Sequence, residues 1–89
     1  MKSNFLLGNL RLTPGAQMEL KRLPYDLIAR HAINEHGNIT RREREQNDTS
    51  MKAVGPIISR YRANPLDPKS KNITIRTNEM WCETLIEVE

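Results

Sequence analysis

The strongest constraint on this chain is a change of period partway along it. Up to about residue 53, apolar residues recur at helical spacing between proline and glycine breaks; from Val54 onward they alternate with polar ones. A chain that switches period once folds as helices backed by a sheet built largely from its second half.

The first half is punctuated clearly. "NFLLGNLRL" alternates loosely around Gly8, which predicts a short strand with a bulge or bend at the glycine. "TPGAQMELKRL" opens a helix, with Thr13 as N-cap and Pro14 in the first turn. Pro24 starts the next one. Leu27, Ile28, His31 and Ala32 mark its buried stripe, and the spacing predicts a helix over 24–35. Gly37 breaks the chain. Thr40 and Glu43 then form a capping box with Ile39 as staple, predicting a third helix over 41–51.

"VGPIISRYR" predicts a strand ending near Arg62, and "ANPLDPKSKN" a loop. "NITIRT" and "MWCETLIEV" predict two more strands around a turn at "NE", the last with Cys82, Thr84, Ile86 and Val88 on one face. The expected fold is a single α+β domain over 1–89: an N-terminal strand, three short helices and a C-terminal three-stranded antiparallel meander. Leu20, Leu23, Leu27, Ile28, Ile58, Ile73, Ile75 and Ile86 form its expected core.

Composition narrows the function classes. No apolar run exceeds three residues, which excludes a helical membrane span and a signal-peptide core. One cysteine, Cys82, cannot close an internal disulfide, so a cytoplasmic setting is expected. The net charge of +3 is unevenly spread: residues 1–76 carry +7, and residues 77–89 carry −4. A basic body favours acidic protein surfaces or nucleic acid as partners.

Three groups of residues could carry chemistry. "RHAINEHGNITRRERE" has the outline of a helix-turn-helix with arginines on its second helix. A reading helix must also dock on its neighbour through apolar residues. "RREREQNDTSM" offers only Met51, so residues 41–51 are expected to form a surface helix. The second group is a basic patch, Arg41, Arg42 and Arg44 with Arg60 and Arg62, able to grip carboxylates or phosphates. Glu43 and Glu45 oppose it. The third is His31, which lies on the apolar stripe and is expected to be structural; acid–base use in a small nuclease is a minor reading. The spacing of five between His31 and His36 misses a helical metal pair, and no carboxylate or cysteine lies in an obvious ligand spacing, so no metal is expected; no cofactor and no catalytic residue are expected either.

Taken together, "LGNLRLTPGA", "LIARHAINEHGNIT", "QND", "ISRYR" and "IRTNEMWCETLIE" resemble a family of small proteins from plasmids, integrative elements and prophages, of the "plasmid-related protein" type. That family's pattern runs leucine-glycine, T-P-G-A, an L-x-R-H segment, a glycine-centred turn, an asparagine in the third helix, an S-x-Y strand and a threonine-bearing close. The resemblance covers nearly the whole chain and rests most on Thr13 to Ala16 and Arg30–His31. The family turn tends to read G-D-W-G with acidic residues after it, whereas this chain has the basic "NEHGNITRRERE". The resemblance implies a mobile-element setting. The expected function is a non-enzymatic binding protein acting stoichiometrically on a host protein or nucleoprotein complex, as an anti-CRISPR or anti-restriction inhibitor would. The alternative is a DNA-binding regulator of helix-turn-helix or winged-helix type.

Overall fold

The computed structural model of the chain describes residues 4–20 and 22–89. Its elements are β1 (Asn9–Leu12), α1 (Pro14–Glu19), α2 (Tyr25–Ala32), α3 (Arg41–Ala53), β2 (Ile57–Arg62), β3 (Asn72–Thr77), a single 3-10 turn (Glu79–Trp81) and β4 (Glu83–Val88). The fold is α+β, with a four-stranded mixed sheet in the order β1-β4-β3-β2. β2, β3 and β4 form the antiparallel meander. The expected N-terminal strand is not separate from it: β1 adds to the outer side of β4 in parallel, pairing Leu10 with Thr84 and Leu12 with Ile86.

Local chemistry explains the helix starts. Thr13 Oγ1 accepts from the Ala16 amide, and Pro14 occupies the first turn. Thr40 Oγ1 accepts from the Glu43 amide while Glu43 Oε1 accepts from the Thr40 amide, closing the capping box. α2 is shorter than 24–35: it stops at Ala32, and Asn34 lies in the left-handed region (φ 65°).

One face of the sheet carries the core. Ile28, Tyr61, Ile73, Ile75 and Ile86 are buried together, with Leu20, Leu23 and Leu27 packed against them. Ile58 does not belong to this cluster. Ile57, Ser59 and Tyr61 are the buried residues of β2, so alternation turns Ile58 to the other face. Two adjacent isoleucines left that register open, and the buried polar Ser59 hid it. On the outer face Arg11 pairs with Glu83 and Arg76 with Glu87, across neighbouring strands.

The expected strand over "MWCETLIEV" begins only at Glu83. Met80 and Trp81 have positive φ (70° and 56°), which no strand accommodates. This turn is held from three sides. Met80 donates its amide to the Val54 carbonyl and Trp81 Nε1 donates to the Gly55 carbonyl, both at 2.8 Å. Asn78 Oδ1 accepts from the Cys82 and Glu83 amides. Cys82 is exposed, off the core face it was expected to share. Trp81 instead packs by Phe5, which is itself buried against the edge of His31.

Candidate functional site

β2 lies at one edge of the sheet, and its exposed backbone groups are taken up in an unusual way. Asn47 of α3 acts like a piece of neighbouring strand: its Nδ2 donates to the Ile58 carbonyl (2.8 Å) and its Oδ1 accepts from the Ile58 amide (2.9 Å). Two residues on, the Arg60 amide donates to the His36 carbonyl and the Arg60 carbonyl accepts from the Asn38 amide. Gly37 sits between them at φ 70°, and a Cβ there would collide with the Arg60 carbonyl and the Tyr61 ring. The edge is thereby closed to further strands.

The same contacts anchor α3. Its inward stripe is polar rather than apolar: Glu43 half-buried, Asn47 and Ser50 buried. Glu43 receives both guanidinium nitrogens of Arg60, at 2.8 and 2.9 Å. Those bonds, with the Thr40 amide, hold the Glu43 carboxyl at a pKa of about 2, well below its ordinary value. The helix expected at the surface, with only Met51 to dock it, is thus firmly anchored. Polar clamps hold it where a hydrophobic stripe is missing.

α3 docks on β2 and shares no comparable interface with α2, so the two helices do not form the mutually packed pair of a helix-turn-helix. The five arginines of the basic patch separate into two groups. Arg60 is committed to Glu43. Arg41, Arg42, Arg44 and Arg62 are exposed, Arg41 with only a loose partner in Glu45 at 3.5 Å.

Behind α3 runs a buried hydrogen-bond chain that no sequence spacing displayed. His36 Nδ1 meets Ser59 Oγ (2.7 Å), and Ser59 Oγ meets His31 Nδ1 (2.5 Å). His31 Nε2 meets Thr77 Oγ1 (2.9 Å), which meets Thr84 Oγ1 (2.8 Å), which donates to the Leu7 carbonyl (2.6 Å). The last acceptor fixes every proton before it. A carbonyl cannot donate, so Thr84 donates to Leu7 and must accept from Thr77. Thr77 in turn accepts from His31 Nε2–H. Neutral His31 then has a bare Nδ1, which takes the Ser59 hydroxyl proton. Ser59 oxygen is left to accept from His36 Nδ1–H.

These roles make the two histidines unlike. His31 is fully buried, and burial, aided by His36, lowers its pKa to about 3. Both its nitrogens are occupied, so it is a structural residue. His36 is half-buried, and burial lowers its pKa too, with Arg44 adding to the effect and Asp48 opposing it. Its Nδ1 points inward, leaving Nε2 as the ring nitrogen available to a cleft of about 440 Å³ that His36 lines with Arg30, Arg44 and Asp48. Arg30 is held at that cleft over the Tyr61 ring, 4.8 Å from its centroid. Tyr61 is fixed in turn by donating its hydroxyl to the Glu35 carbonyl.

No protein-family model, curated protein or solved structure matches the chain. Among the described residues no helix is long and apolar enough to cross a membrane, and no group of three or more acidic, histidine or cysteine residues is placed to hold a metal ion.

Proposed function

We propose that the protein is a small non-enzymatic binding protein of a mobile genetic element, acting stoichiometrically on a host protein or nucleoprotein complex through α3. One observation carries the reading: α3 presents Arg41, Arg42 and Arg44 to solvent while Asn47 and Glu43 pin it to the sheet edge. A rigid helix displaying guanidiniums recognises carboxylates or phosphates at low entropic cost, because the backbone is ordered before binding. Arg62, exposed at the end of β2, is a further guanidinium that such a partner could engage. The mobile-element setting, and with it an anti-defence role against CRISPR or restriction systems, comes from the family resemblance.

The reading is tested by pull-down from lysate of a plausible host with the parent protein and with Arg41→Ala/Arg42→Ala/Arg44→Ala. The expected result is a defined partner, stable in moderate salt, lost with the triple variant although that variant stays folded. Tight, sequence-specific duplex DNA binding by the parent would replace this reading with the DNA-binding one.

A further inference from the structure

We infer that the cleft beside His36 is a binding site for a phosphomonoester carrying one proton. The inference goes beyond the docking role of α3 and shares only Arg44 with it; Arg41 and Arg42 do not line this cleft.

The argument starts from an apparent contradiction in the lining. Arg30 and Arg44 supply guanidinium donors, which favour an anion, yet Asp48 and Glu35 line the same space. Glu35 is paired loosely with Arg30 at 3.9 Å, so the repulsion a plain anion meets comes chiefly from Asp48. An anion that brings its own proton avoids it, because its O–H can donate to an acceptor while its ionised oxygens accept from arginine. The buried chain supplies a further acceptor. Since the Leu7 carbonyl polarises every bond back to Ser59, His36 must donate from Nδ1, and its neutral ring offers Nε2 to the cleft as a lone pair. His36 can become protonated at Nε2 without disturbing the chain, but it cannot offer Nε2–H in its neutral form without breaking the Ser59 bond.

The ligand must therefore combine hydrogen-bond donation with negative charge. Sulfate, carboxylates and phosphodiesters have no proton to give at neutral pH. A phosphomonoester can: with a second pKa of about 6, part of its population is the singly protonated monoanion near neutral pH, and that is the form the site would take up. The cleft, about 440 Å³, is within the size range of small-ligand sites. Such a group occurs as free phosphate, on a phosphorylated side chain or on a nucleotide, and the cleft chemistry is common to all three.

The test is NMR of the full chain labelled with nitrogen-15 at pH 6.5, using two-bond proton–nitrogen correlations that report histidine tautomers. The free protein should show His36 protonated at Nδ1 with Nε2 bare. Titration with inorganic phosphate should shift the His36 signals saturably. Sulfate at matched ionic strength should bind roughly tenfold or more weakly, the worth of one charge-assisted hydrogen bond. His36→Asn keeps an N–H for Ser59 but lacks Nε2, and should lose the preference for phosphate. Arg44→Ala should lose phosphate binding, whereas Arg41→Ala/Arg42→Ala should keep it, which separates this site from the α3 docking surface. Parallel titrations with a phosphoserine peptide and a nucleoside 5′-monophosphate identify the source of the group. An Nε2–H tautomer in the free protein, equal binding of sulfate and phosphate, or no saturable shift with phosphate would each overturn the inference.

Discussion

His31 and His36 show how burial decides what one side-chain type does. Both belong to one hydrogen-bond chain, yet only His36 reaches a cleft. His31 has no room for a second proton. Protonating its Nδ1 would deprive the Ser59 hydroxyl proton of its acceptor and bury a charge whose hydrogen-bond partners, Ser59 and Thr77, carry no negative charge. This has a pH signature. The ordinary histidine pKa of 6.5 applies in the unfolded chain, and the folded value is about 3. As pH falls from 6.5 toward 3, the unfolded chain takes up a proton that the folded chain refuses. Stability therefore drops on acidification, by up to about 1.4 kcal/mol per pH unit for a single such group. Glu43 acts in a lower window: its depressed pKa stabilises the fold above about 4.5, and that contribution is lost as pH falls toward 2. Urea unfolding at pH 7 and pH 5 separates the two, because the carboxylate's contribution is nearly constant across that interval. The parent should lose stability across that interval, and His31→Gln, though less stable at pH 7, should lose less. Equal losses in the two proteins would show that residue 31 is not the group responsible.

Elements in this fold are held by two kinds of signal, and only one is visible along the chain. Thr13–Pro14 and Thr40–Glu43 act within a single turn, so the starts of α1 and α3 are legible in the sequence. Ile73, Ile75 and Ile86 are legible as core because alternation needs no knowledge of a partner. Asn47 is not legible in this way. Its partner Ile58 lies beyond the end of α3, and nothing in "REQNDTS" distinguishes a clamp from an exposed amide. The same holds for Ser59 and Thr77, which read as ordinary strand polars until the fold brings His31 between them. His31 is legible as structural from its stripe, while His36, legible only as a helix-end histidine beside Gly37 whose partial charge would suit the helix dipole, gives no sign of the cleft it lines or of the burial that lowers its pKa. The clamp gives a clear expectation. Asn47→Leu removes two bonds and strands the amide and carbonyl of a half-buried residue, at a cost of about 2–4 kcal/mol. Replacing Arg41, Arg42 and Arg44 by alanine removes only exposed groups, at under about 0.5 kcal/mol each. Chemical denaturation of both variants measures the contrast. If Asn47→Leu were as mild as the arginine changes, α3 would be held by something other than this amide.

At the scale of the whole molecule, the order of strands joins the two ends of the chain. β4 is the last element in sequence but an inner strand in space, between β1 and β3. It contributes Ile86 to the core, Thr84 to the buried chain, and hydrogen bonds to strands on both sides. Until β4 is present, β1 has no partner in the sheet, β3 has one open side, and Thr77 and the Leu7 carbonyl lose the hydroxyl that links them. Without it, α1, α2, α3 and the β2–β3 hairpin would have to bury Ile28, Ile73 and Ile75 against a half-built sheet. A domain of 89 residues has a stability of only several kcal/mol to lose. Removing one buried isoleucine side chain to its Cβ already costs about 2–5 kcal/mol, and removing β4 deletes that residue together with two ladders. A chain ending at Trp81 is therefore expected to lack cooperative structure altogether, with collapsed amide dispersion by NMR and no thermal transition. Adding residues 82–89 back as a separate peptide should restore both, because the 3-10 turn at Glu79–Trp81 remains on the larger piece to receive it. A truncated chain that melted cooperatively on its own would show that the helices and the β2–β3 hairpin form an independent core, and that β4 and β1 are additions to it.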